Sequence, residues 1–126
     1  QETYGIDCNN LTARCFETMY MGDKKFNYSS METHALDEYN FTNIGFIKID
    51  VEGQELEVLK GAVKTIVNNN YPPILFEMWP EDEEWITDKE AQKKRNEELI
   101  NGLTFLGYTI TYNVNEYRGT HLAVKY

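Results

Sequence analysis

The stretch Phe46–Ala62, FIKIDVEGQELEVLKGA, changes its hydrophobic period halfway along. Ile47, Ile49 and Val51 alternate and are β-branched, which favours a strand over Phe46–Val51. From Gln54 the apolar residues Leu56, Leu59, Val63, Ile66 and Val67 recur at three and four positions, the spacing of one helix face. The pattern predicts a helix from Gln54 to about Asn69, packed on a sheet through Leu56, Leu59, Val63 and Ile66. Gly53 supplies the sharp turn between the two elements. A strand that turns at once into a helix is the unit of an open α/β sheet, and such sheets bind ligands at the carboxyl ends of their strands. Asp50 and Glu52 stand at that end.

The remaining elements follow in order. Asn68–Asn70 and the pair Pro72-Pro73 stop the helix, and Ile74–Trp79 reads as the next strand, closed by Pro80. A connection of about 25 residues through a helix makes the two strands parallel, with a right-handed crossover. Thr87-Asp-Lys-Glu90 has the form of a capping box opening a third element, charged at first and apolar at Leu99, Ile100, Leu103 and Leu106. Gly107 ends it. Tyr108–Val114 and Thr120–Tyr126 read as an antiparallel pair joined by a short loop. Before the organising strand, Leu36–Tyr39 reads as a helical turn and Met31–Leu36 as a short strand. Residues 1–30 carry turn residues and brief alternation, including a hairpin candidate at Met21–Lys24, but no firm period.

The run Ile47-Lys-Ile-Asp-Val-Glu-Gly53, followed by Glu55-Leu56, Leu59-Lys-Gly-Ala62 and Pro73-Ile-Leu-Phe-Glu77, resembles the signature of the FkbM family of S-adenosylmethionine-dependent methyltransferases. Leu36-Asp37-Glu38 upstream and Leu106-Gly107-Tyr108 downstream are similar to the same family. The resemblance covers the chain from about Met31 onward. It implies an α/β fold: the C-terminal half of a Rossmann-like methyltransferase domain, with parallel strands and a terminal antiparallel hairpin. The 126 residues are then one partial domain with an ill-defined N-terminal segment at 1–30. The implied activity is transfer of a methyl group from S-adenosylmethionine to an oxygen of a sugar or other small molecule.

The family's cofactor site, as the resemblance implies it, needs a Gly-rich turn and an acidic residue for the ribose. The glycines here stand at 5, 22, 45, 53, 61, 102, 107 and 119 and never form G-x-G. This chain alone is therefore expected to bind S-adenosylmethionine weakly or not at all. The outer edge of the Phe46 strand also lacks an evident neighbour, and an uncovered apolar strand invites aggregation. The N-terminal segment, a separate N-terminal half or a second copy of the chain is expected to cover it. The competing expectation is a non-catalytic α/β remnant that binds or completes a partner.

Charge and composition narrow the partners. A net charge of −9 opposes nucleic-acid binding, which needs a positive surface. No apolar run approaches the roughly 20 residues of a membrane span. Cys8 and Cys15 are too few for a disulfide scaffold and have no metal-ligand spacing, so a cytoplasmic setting is expected. Three Asn-x-Ser/Thr sites, at Asn10, Asn27 and Asn40, would matter only in a secreted chain.

The candidate chemistry gathers on carboxylates. Asp50 and Glu52 are the expected catalytic pair: either could orient an acceptor hydroxyl, take its proton or hold a cation beside it. Alternatively, Glu52 caps the helix and Asp50 bonds the turn amides. Glu77, at the end of the second strand, points to the same edge, unless it forms a buried pair with Lys48. Trp79 is placed to wall a pocket or to join the core. Glu77, Trp79 and His34 are the substrate-binding candidates. His121 is expected at the surface or in the core, and no Cys/His cluster suggests zinc.

Overall fold

A computed structural model describes residues 4–7 and 34–126. The hairpin expected at Met21–Lys24 lies outside the described residues, as does most of the strand expected over Met31–Leu36. The described end of that strand, His34 and Ala35, is irregular. Leu36–Tyr39 forms the expected helical turn, of the 3-10 type.

Among the described residues, five strands form one sheet. They are β1 (Tyr4–Asp7), β2 (Ile44–Ile49), β3 (Ile74–Glu77), β4 (Thr109–Thr111) and β5 (Thr120–Val124), in the spatial order β1-β2-β3-β5-β4. β2 and β3 are parallel, with Ile47, Lys48 and Ile49 opposite Ile74, Leu75 and Phe76. β5 inserts antiparallel between β3 and β4. The parallel pair and terminal antiparallel hairpin match the half of a Rossmann-like fold expected from the sequence. The outer edge of β2 is paired in parallel by Tyr4–Asp7, so the chain's own N-terminal strand covers it.

The strands differ in their bounds from the apolar runs: β2 is shifted by two residues, and β3 and β4 are shorter. β2 begins at Ile44 and stops at Ile49, because Asp50 and Val51 already belong to the turn. β3 stops at Glu77 and leaves Trp79 in the following loop. β4 ends at Thr111, where the chain enters a loop held by left-handed Asn113, Asn115 and Glu116.

The predicted helix from Gln54 to Asn69 is two helices, α1 (Glu55–Lys60) and α2 (Val63–Asn68). The break falls at Gly61-Ala62, where the Leu36 segment docks. The Gly61 carbonyl accepts from the Asp37 N–H at 2.9 Å. A Cβ on Gly61 would stand 3.0 Å from that of Ala35, so the close approach requires glycine. Asp37 then caps α2, accepting from the Lys64 N–H at 3.1 Å and the Thr65 N–H at 2.7 Å. The break also rotates the buried face. Leu56, Leu59 and Ile66 pack into the core as expected, but Val63 is 38% exposed, and Ala62 and Thr65 are buried instead. The Thr65 hydroxyl is satisfied by donating to Asp37 Oδ1 at 2.8 Å.

The third helix, α3 (Lys89–Phe105), packs on α1. Its cap is Asp88 rather than Thr87, with Asp88 Oδ1 accepting from the Ala91 N–H at 3.0 Å. Leu99 and Leu103 of α3 meet Leu59, Ile66, Ile47, Ile49, Ile74 and Phe76 in one core. On the opposite face of the sheet β2 carries Phe46, 39% exposed, and half-buried Lys48.

Candidate active site

The site begins with the turn that follows β2. Glu52 and Gly53 both take left-handed conformations, with φ of 55° and 93°. Glycine does this freely, whereas a side-chain-bearing residue there stores strain of roughly 1–3 kcal/mol. The surrounding bonds hold it in place. Glu55 is 4% exposed, and its Oε1 accepts from the Val51 and Gly53 N–H groups at 3.4 Å each. Burial raises the Glu55 pKa above the usual carboxylate range, although those N–H groups pull the other way. Glu55 therefore takes the turn-bonding role that the sequence left open to Asp50, and Glu52 does not cap α1, whose first position has no side-chain cap.

Gly53 is also where the second loop leans in. The Trp79 indole lies against it, so that a Cβ would meet Trp79 Cζ3 at 3.0 Å. Gly53→Ala should therefore destabilise the protein by about 1–3 kcal/mol, from the unfavourable φ and the clash together. The indole must also shift, so the melting midpoint and the Trp79 fluorescence should change together. A neutral substitution would show that the turn relaxes without cost.

Asp50 and Glu77 each follow directly on the Ile49–Phe76 pair that ends the β2–β3 ladder. Glu77 is pushed up to about 7. Its burial contributes most, followed by the Asp50 charge and a side-chain hydrogen bond with Asp50, then by the charges of Glu55 and Glu52. Two carboxyl groups this close cannot both ionise freely. The pairing of Glu77 with Lys48 is not formed: no ion pair joins them, and a lysine partner would lower the Glu77 pKa. Nor do these carboxylates close into a ligand set for a metal ion among the described residues.

Trp79 walls the Gly53 turn. Its ring meets Trp85 edge-on at 4.7 Å, and its carbonyl accepts from Asn96 Nδ2 at 2.8 Å. Between the Gly53 turn, Trp79 and α3 lies a shallow cleft of about 10 Å³, lined also by Glu55, Gln92, Arg95 and Asn96. His34 sits elsewhere. Its Nδ1 pairs with Glu38 Oε2 at 3.1 Å, in the segment that docks on the α1–α2 break. His121 belongs to the core, 4% exposed, with Nδ1 accepting from the Asn113 N–H at 2.9 Å and its ring against Phe76. Burial lowers its pKa, which keeps it neutral.

The structure thus sets Asp50, Glu52 and Glu77 close enough for their charges to act on one another, packs Trp79 against the Gly53 turn and leaves His34 apart. Glu55, Arg95 and Asn96 were not anticipated. A strand–turn–helix with neighbouring carboxyl groups at the sheet's carboxyl edge is the arrangement of an open α/β sheet, at the edge where such sheets place ligands. The model of the methyltransferase FkbM domain matches residues 5–110. The chain belongs to the FkbM methyltransferase family. No curated protein and no solved structure matches it.

The described residues do not fit S-adenosylmethionine as a whole. The cleft, with room for about one water molecule, is far smaller than the roughly 300–1,000 Å³ of typical ligand pockets. No G-x-G turn is available to approach the cofactor closely. Among the described residues, no helix is long and apolar enough to cross a membrane.

Proposed function

We propose that this chain is the acceptor-side part of a methyltransferase that methylates a hydroxyl of a small molecule, a sugar being one such acceptor. S-adenosylmethionine is the methyl donor in this reading, held mainly by groups outside the described residues. A cytoplasmic setting belongs to the same reading. So does a supply of the cofactor site by an N-terminal half or a second copy of the chain.

The reading is carried by Glu77 at the carboxyl end of β3, next to the Asp50 that follows β2, with its pKa raised to about 7 by burial and the Asp50 charge. A general base works best when its pKa lies near the operating pH. Glu77 can therefore take a hydroxyl proton, with Asp50 sharing it and Glu52 orienting the hydroxyl from the turn. Trp79 supplies a flat apolar wall for the carbon side of the acceptor.

The test is transfer of an isotope-labelled methyl group from S-adenosylmethionine to a panel of polyols and sugars, followed against pH. The rate should rise with an acid limb near pH 7, as Glu77 loses its proton. Transfer with a flat profile from about pH 5 to about pH 8 would remove Glu77 as the base. No transfer to any hydroxyl compound would favour the non-catalytic binding module.

A further inference from the structure

The β2–β3 ladder ends at the Ile49–Phe76 pair, so backbone pairing does not itself fix the distance between Asp50 and Glu77. Two adjacent residues of α3 reach the loops that follow them. Arg95 Nη2 donates to the Gly53 carbonyl at 2.9 Å and to Glu57 Oε2 at 2.6 Å. Asn96 Nδ2 donates to the Trp79 carbonyl at 2.8 Å and to Glu81 Oε2 at 3.2 Å. Asn96 is buried in the same helical row as Leu99 and Leu103, and Gln92 Nε2 donates to its Oδ1 at 2.9 Å. A buried amide is costly unless bonded, and this one spends its N–H groups on the loop after β3 rather than on its own helix.

We propose that Arg95 and Asn96 are positioning residues: a brace on one rigid helix that holds the Gly53 loop and the Trp79 loop at the separation the Asp50–Glu77 pair requires. The proposal rests on the reading of that pair as the proton acceptor. Neither brace residue contacts the pair itself. Each acts on a backbone carbonyl two or three residues beyond it, Gly53 after Asp50 and Trp79 after Glu77.

Loss of the brace has a signature that lost stability alone does not. When the loops part, Asp50 moves from Glu77 and the Glu77 pKa falls. The direct effect of deleting a positive charge at Arg95 is opposite in sign, since it would raise a carboxyl pKa. The other charged groups acting on Glu77 are Glu52 in the turn and Glu55 on α1, while Thr120 of β5 opposite it is neutral. None of these is altered in the variants.

The experiment is a carbon-13 carboxyl titration of Glu77 in the full chain, for the wild type, Arg95→Gln, Asn96→Ser and Glu57→Gln. In the first two variants the midpoint should drop by about one pH unit from the wild-type value near 7. Glu57→Gln removes the salt bridge but keeps the Gly53 contact, and its midpoint should stay within about 0.3 units of the wild type. An unmoved midpoint in folded Arg95→Gln and Asn96→Ser overturns the brace, even if both melt earlier. A wild-type midpoint in the ordinary carboxylate range instead overturns the assignment of Glu77 as base, a result separate from the first.

Discussion

Glu77→Gln should lower methyl transfer by about 10²–10⁴-fold, the usual worth of a general base, while making the protein more stable above about pH 7. The two effects have one cause. The folded chain raises the Glu77 pKa from 4.5 to about 7, so between these values the folded state holds a proton that the unfolded state has released. The stability Glu77 contributes is complete below its unfolded pKa and is lost as pH rises through the folded value. Glutamine stays neutral at every pH and avoids that loss. The melting temperature of Glu77→Gln should therefore exceed that of the wild type at about pH 8 and nearly equal it at about pH 4. Asp50→Asn should also lower the Glu77 pKa, because it removes the nearest negative charge. Wild-type turnover in Glu77→Gln would end its role in the reaction, whatever the melting curves show.

The largest loss of stability should come from Phe76→Ala, at about 3–5 kcal/mol in chemical denaturation. Phe76 is 2% exposed on the central strand, with Ile49 of β2 on one side and His121 of β5 on the other in the sheet register. Its ring lies 5.4 Å from the His121 ring. Deleting it opens a cavity where the parallel and antiparallel parts of the sheet meet, and strand backbones there cannot collapse inward without breaking the ladder. A cost below about 1 kcal/mol would show that the two parts of the sheet pack independently.

Most of this architecture could be read from hydrophobic period. β2, α1, β3, α3 and the final hairpin each announce themselves by a change between alternation and three-to-four spacing. The break at Gly61 was hidden, because Leu59, Val63, Ile66 and Val67 keep a helical spacing straight across it. What divides them is a contact from Asp37 and Ala35, more than twenty residues upstream, and period carries no information about that. The site was partly legible for a related reason. Asp50, Glu52 and Glu77 follow from strand ends, but the hydrogen-bonded pair depends on register between β2 and β3. Glu55 and Asn96 did leave a trace. Glu55 is four residues before Leu59, and Asn96 is three before Leu99, so both are polar residues placed on an apolar stripe. Read only as helix-end charge and surface polarity, such residues pass unnoticed, although a polar group on a buried stripe calls for a partner.

The cap that Asp37 places on α2 makes local structure depend on distant assembly. α2 has six residues, and its first position has no side-chain cap of its own. Isolated helices much shorter than about 12–15 residues are marginal in water. Val63–Asn68 should therefore be no helix at all in a peptide or in the denatured ensemble, and should form only as the Leu36 segment docks at Gly61. Its helical signal and the tertiary contacts of Asp37 should then vanish in a single transition, with no helical intermediate outlasting the dock. Asp37→Ala would turn that concerted loss into early, separate fraying of Val63–Asn68, visible as fast amide hydrogen exchange there while β2 and β3 remain protected.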